Sequence, residues 1–272
     1  HIDAARSGIT QICNTLLSGG NFTPGDLRFG LIAFRDPPPQ NPSFIVQEYP
    51  FTTDVGSVAE NLGGLTATGG GNGPESQSDA LSAAYKADWK DEATNIMVLI
   101  TDSPPHGIGE DGDAFPKGRP LRTSRFWSSV VMNQRWYYVI ACEPTLSQYY
   151  KRACDFYQGL VKKTGGKAVN LGDLSALPTL IAGSALEAVR NEIYVVKHQA
   201  KVRSMANDQK MSASEISQRL HKSFVAAGIQ HSTLVVDNMH EQRTHGDQNA
   251  DIWLNAENFD EAKNNIQEVK YR

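Results

Sequence analysis

Residues 95–102 read Asn95-Ile96-Met97-Val98-Leu99-Ile100-Thr101-Asp102, a continuous apolar run closed by a carboxylate. Apolar side chains on both sides of the pleat predict a buried strand, as found in sheets with helices packed on each face. Asp102 then falls at the carboxyl end of the strand, where open α/β sheets bind their ligands.

Outward from this stretch the pattern recurs. Residues 27–35 (LRFGLIAFR) and 135–142 (RWYYVIAC) predict two more buried strands, and 167–171 a short one. Asp36-Pro37-Pro38-Pro39 closes the first of these, because proline supplies no ladder donor. Residues 44–51 alternate in character and predict a short edge strand. Apolar spacing predicts helices over 1–17, 55–65, 76–89, 127–132, 148–163 and 174–195. The expected fold is α/β: a Rossmann-like, mostly parallel sheet with one short antiparallel edge strand and helices on both faces. Past residue 196 the chain turns polar. Residues 1–196 are therefore read as one domain and 197–272 as a C-terminal α+β extension or small partial subdomain. Within the extension, 212–227 and 259–269 predict helices and 231–236 a strand.

Composition bounds the function. The 272 residues are 40% hydrophobic and 21% charged, enough for a packed core. A net charge of -4 argues against nucleic acid as the main partner, since phosphate binding needs surplus Lys and Arg. No apolar run is long enough to span a bilayer, and the start carries no secretion signal. Cys13, Cys142 and Cys154 are odd in number and widely spaced, so free thiols in a reducing, cytoplasmic compartment are expected. A chain that opens on His1 reads as a fragment, a processed product or an incomplete gene model.

The stretches LRFGLIAFRD (27–36), LTATGGGNGPES (65–76) followed by a helix with Asp79-Ala80-Leu81, and VLITDSPPHG (98–107) come in a specific order. Together they resemble successive landmarks of a von Willebrand factor A (vWA) domain. The resemblance covers about the first two-thirds of the chain. It is nearest to the fungal and slime-mould group related to vWA-containing alpha-kinases. It implies a metal-ion-dependent adhesion site at the strand ends, where Mg²⁺ (or Ca²⁺ or Mn²⁺) leaves a coordination position open for a partner's carboxylate. A hard cation of that kind takes oxygen ligands.

The resemblance places Asp102 at the family's Asp after the fourth strand, holding the ion directly or through water. Thr68 and Asn72 are candidate ligands on the glycine-rich loop. Asn72 stands where relatives often carry Asp, so the site loses a charge. Glu75 is a candidate second carboxylate or a helix N-terminal group favoured by the dipole. For Asp102 the competing role is to cap the turn before Pro104. For the other residues it is loop polarity or capping. The family's first strand and its D-x-S-x-S loop would precede His1. Their loss takes away most direct ligands and leaves two rows of backbone groups unpaired between the strands at 27–35 and 95–101.

Glu110, Asp111 and Asp113, with His106 nearby, form a second acidic feature; it lacks EF-hand spacing and reads as a solvated turn. The seven histidines form no H-E-x-x-H or other ligand spacing. No phosphate-binding G-x-x-x-x-G-K-[ST] loop, kinase H-R-D or D-F-G pair, or G-x-S-x-G elbow occurs. The sequence thus reads as a non-enzymatic protein-interaction module that binds its partner through a divalent cation. The alternatives are the regulatory domain of an alpha-kinase-like enzyme, or a structural vWA domain with a degenerate metal site.

Overall fold

A computed structural model describes residues 2–18, 22–67, 73–117, 136–229, 235 and 245–267. Its strands are β1 (Phe29–Phe34), β2 (Val46–Thr52), β3 (Ile96–Thr101), β4 (Trp136–Cys142) and β5 (Ala168–Leu171). Its helices are α1 (Ile2–Ser18), α2 (Val55–Gly63), α3 (Gln77–Lys86), α4 (Thr145–Tyr149), α5 (Ala153–Thr164), α6 (Leu177–Asn207), α7 (Ala213–Ala226), α8 (Gly246–Asn255) and α9 (Phe259–Asn265). The mixed α/β class holds. The expected helix over 127–132 lies outside the described residues. Of the expected strand over 231–236 only Val235 is described, exposed and outside any strand.

The single, mostly parallel sheet is corrected to two sheets. β3, β4 and β5 form a parallel sheet in that order, in register from Ile96↔Trp136 to Thr101↔Ala141 and from Val139↔Ala168 to Cys142↔Leu171. β1 and β2 form a separate antiparallel pair. The antiparallel strand is thus no edge of the parallel sheet, because β1 makes no ladder to β3.

β4 is central and its alternation is clean. Tyr137, Val139 and Ala141 pack on one face against Phe156, Leu160 and Trp253 of α5 and α8. Ile140 and Cys142 pack on the other against Leu177, Leu180 and Ile181 of α6. The antiparallel pair joins through a further cluster, in which Leu31 and Phe29 meet Ile12, Leu16, Val58, Leu62 and Ala182.

The boundary drawn at residue 196 falls inside α6, whose 31 residues run unbroken from Leu177 to Asn207. Residues 246–265 do not stand apart either. Trp253, Ala256, Phe259 and Ala262 are buried in the same core as β4 and α5. Gly159 of α5 makes this docking possible: a Cβ there would lie 2.7 Å from Trp253 Cβ and 2.8 Å from the Ala250 carbonyl oxygen.

The helix expected over 148–163 is broken at residues 150–152. The carboxylate of Glu110 accepts hydrogen bonds from the backbone N–H groups of Lys151 (2.9 Å), Arg152 (2.6 Å) and Ala153 (2.9 Å). A distant loop therefore supplies the N-terminal cap of α5, satisfying donors that a helix start leaves orphaned.

Candidate functional site

A cleft of about 570 Å³ lies between the two sheets. One wall is formed by residues 31–36, the other by residues 98–103. Successive side chains of a strand point to opposite faces. Walls of six consecutive residues each are therefore strand edges and not sheet faces. Phe44, Leu62 and Leu65 add apolar lining, while Asp36, Glu75 and Asp102 stand at the end where β1 and β3 finish.

A buried polar network fixes the turn that carries Asp102. Gln77 Nε2 donates to Thr101 Oγ1 (3.0 Å) and to the Ser103 carbonyl oxygen (2.6 Å). Tyr157 Oη is 2.7 Å from Gln77 Oε1 and 2.7 Å from that same carbonyl. Thr101 Oγ1 donates to the carbonyl as well, at 2.8 Å. With every member paired, such a network holds one geometry. Asp102 projects from it exposed, its Oδ1 accepting from Ser103 Oγ at 3.1 Å.

Glu75 is tied to the same turn through its backbone. Its N–H donates to the Pro104 carbonyl (2.9 Å), and its own carbonyl accepts from the His106 N–H (3.2 Å). Its carboxyl, half-buried beside Asp36 and Asp102, is pushed up to about 7. Burial is the main cause, followed by the charge of Asp36. His106 acts the other way, and Asp102 adds to the rise.

His106 is sandwiched. Its Nε2 lies 2.9 Å from Asp36 Oδ1 and its Nδ1 2.7 Å from Asp113 Oδ1, with all three side chains buried. Two carboxylate acceptors require both ring nitrogens to carry hydrogen. Burial alone would lower the pKa of His106, but the bonds and charges of Asp113 and Asp36 prevail and raise it to about 9. Asp113 also accepts from the N–H groups of Gly107 (2.7 Å) and Phe115 (2.8 Å). The other oxygen of Asp36, Oδ2, is buried with no hydrogen-bond partner. It meets a donor only if Glu75 beside it carries a proton.

The structure brings Asp102 and Glu75 together. Thr68 and Asn72 lie outside the described residues; their loop leaves the rim at Thr66 and Ala67, which line the cleft. Arg35 anchors that departure, donating to the Thr66 carbonyl at 2.5 Å. The solvated-turn reading of residues 106–113 is corrected for three of its four residues. His106, Glu110 and the Asp113 side chain are buried, as the His106 ion pairs and the α5 cap require, while Asp111 stays outside, paired to Lys151. Sequence reasoning missed Asp36, Gln77 and Tyr157. Asp36 carried a usable signal, since FRDPPP repeats the order of LITDSPP: apolar strand, carboxylate, then proline.

In donor type the rim suits a hard cation, since Mg²⁺ is commonly held by one or two carboxylates with waters completing its shell. Among the described residues no group of three or more His, Cys, Asp or Glu is arranged to hold an ion. Asp102 and Glu75 would be its protein ligands, with further oxygens drawn from water or a partner. His106 has no uncommitted nitrogen for proton transfer. Burial, ahead of the charge of Asp102, pushes the Cys142 thiol up to about 12, far from a reactive thiolate.

No protein-family model matches the chain. No curated protein matches it either. Among solved structures it is similar to the conserved hypothetical protein BatB from Bacteroides thetaiotaomicron, at 14% identity and a TM-score of 0.41, over 70% of this chain and 88% of that one. Likeness at that level carries no inference about this chain. Among the described residues no helix is long and apolar enough to cross a membrane.

Proposed function

We propose that the chain is a non-enzymatic protein-interaction module that engages a carboxylate of its partner through a divalent cation, Mg²⁺ foremost, at the rim formed by Asp36, Glu75 and Asp102. The observation that carries this reading is the convergence of these three carboxylates, from separate elements, on one end of the cleft. Burial, and after it the charges of Asp36 and Asp102, hold Glu75 near 7. A cation relieves that repulsion, so the rim gains from binding one. Thr68 and Asn72, on the loop that leaves the rim, are proposed as additional oxygen donors.

Thermal unfolding of the full chain with millimolar Mg²⁺, Ca²⁺ or Mn²⁺ tests the proposal. A ligand at about 100 times its Kd adds roughly 2.7 kcal/mol, which for a chain of this size is several degrees in Tm. Asp102 is exposed, so Asp102→Ala is expected to keep the metal-free Tm and lose the rise. An unchanged Tm with all three metals would refute it. A second reading, a structural domain with a degenerate metal site, is favoured by the lack of a complete ligand group among the described residues. On that reading neither metal nor Asp102→Ala changes anything.

A further inference from the structure

We infer that the second half of α6 is a docking face for an acidic amphipathic helix of a partner protein, laid along residues 193–203. The inference is independent of the cation reading. The first half of α6 is held on two sides: Leu177 packs on Ile140 and Leu171 of the parallel sheet, and Ala182 on Ile12 and Leu16 of α1. Beyond Ala188 only Met205 is buried. Here the described neighbour is α7, whose Phe224 ring lies 6.2 Å from Tyr194 and 4.8 Å from His198. At 3.6 residues per turn Tyr194, His198 and Met205 share the side that meets α7. Ile193, Val196, Ala200 and Arg203, spaced three, four and three, fall on the opposite side. Ile193 and Val196 are 60% and 66% exposed there. That spacing is the seam by which one helix packs on another.

Charge selects the occupant. From Arg190 to Lys222 the chain carries seven Lys and Arg against three Asp and Glu, in a molecule whose net charge is -4. Lys197 and Lys201, four residues apart, line one margin of the seam, and Arg203 ends it. Among the described residues none of the three is paired with a carboxylate. Two copies meeting seam to seam would set these cations against one another, and like charges between packed helices are destabilising. Bilayer surfaces and single-stranded nucleic acid are engaged through exposed aromatic side chains, and here Tyr194 and Phe224 are turned onto each other. A helix with Leu and Ile in its seam and Glu at its margins meets both needs: it covers Ile193 and Val196 and pairs with Lys197 and Lys201.

The test uses the full chain in EDTA at low salt and a fluorescent peptide of about three heptads, with Leu and Ile in its seam and Glu at its margins. Saturable binding is expected, with slowed amide exchange in residues 191–207. Val196→Asp, at an exposed position, should keep the Tm and weaken binding at least about tenfold, the effect of roughly 1.4 kcal/mol. Lys197→Glu with Lys201→Glu should weaken it as much, and a peptide with Lys in place of its Glu should recover the loss. Equal binding by Val196→Asp, equal binding of the Lys peptide to the unmutated chain, protection elsewhere, or no binding at millimolar peptide would overturn the inference. So would binding to phosphatidylserine–phosphatidylcholine vesicles in place of the peptide, or a dimer in sedimentation that Val196→Asp dissolves, since a bilayer or a second copy would then cover the face. Persistence in EDTA separates this result from the cation proposal, which can fail while the helix face stands.

Discussion

Glu75 is crowded by burial, by Asp36 and by Asp102, and its charge is stabilised only by His106. With a folded pKa near 7 against 4.5 unfolded, the native state binds the extra proton between those values. Stability from this group is therefore highest below about 4.5, falls as pH rises toward 7, and levels off above it. Glu75→Gln removes the slope. In urea denaturation at pH 8 the variant should be more stable by about 1–3 kcal/mol and lose its pH dependence between 5 and 7. An unchanged slope would mean that Glu75 does not titrate there. His106 works in the next window. Its raised pKa gives stability that is fully present below about 6.5 and lost as pH climbs through about 9. Replacing it strands two buried carboxylates, so His106→Ala should cost about 3–5 kcal/mol in the same assay. Asp102 was legible from sequence because a carboxylate after an apolar strand has one obvious place to go. His106 and Asp113 were not. Their burial depends on Asp36, some 70 residues away, and no local pattern encodes a long-range ion pair.

Between elements, burial depends on neighbours that periodicity cannot name. The run at 96–101 predicts a strand, and one forms, but among the described residues only β4 pairs with it, and it is less covered than β4. The break between α4 and α5 was hidden for a similar reason: the apolar spacing continues across it, while the cap comes from Glu110 on another loop. α8 escaped notice because its ten residues follow a polar stretch, yet Trp253 is fully buried against α5. Gly159 is the contact that allows it. Gly159→Ala normally favours a helix by about 1 kcal/mol. Here the added methyl would strike Trp253 and the Ala250 carbonyl, so the variant should instead lose stability, by about 1–3 kcal/mol in urea denaturation. A gain would show that α8 does not pack there.

For the molecule as a whole, the α/β class followed from alternating strand and helix patterns. The division into two sheets follows only from which edges meet, and that is set by tertiary packing. α6 passes through residue 196, and Trp253, Ala256, Phe259 and Ala262 of the later segment are buried in the core around β4 and α5. On the proposed reading, cation binding at the acidic rim should inherit the titration of Glu75. A protonated Glu75 cannot ligate, so apparent affinity scales with the deprotonated fraction, about one-tenth at pH 6 and nine-tenths at pH 8. Calorimetric titration of Mg²⁺ into the full chain should show binding about tenfold tighter at pH 8 than at pH 6, with a proton released on binding at pH 6. No binding at either pH, or equal affinity at both without proton release, would contradict a cation site built on this rim.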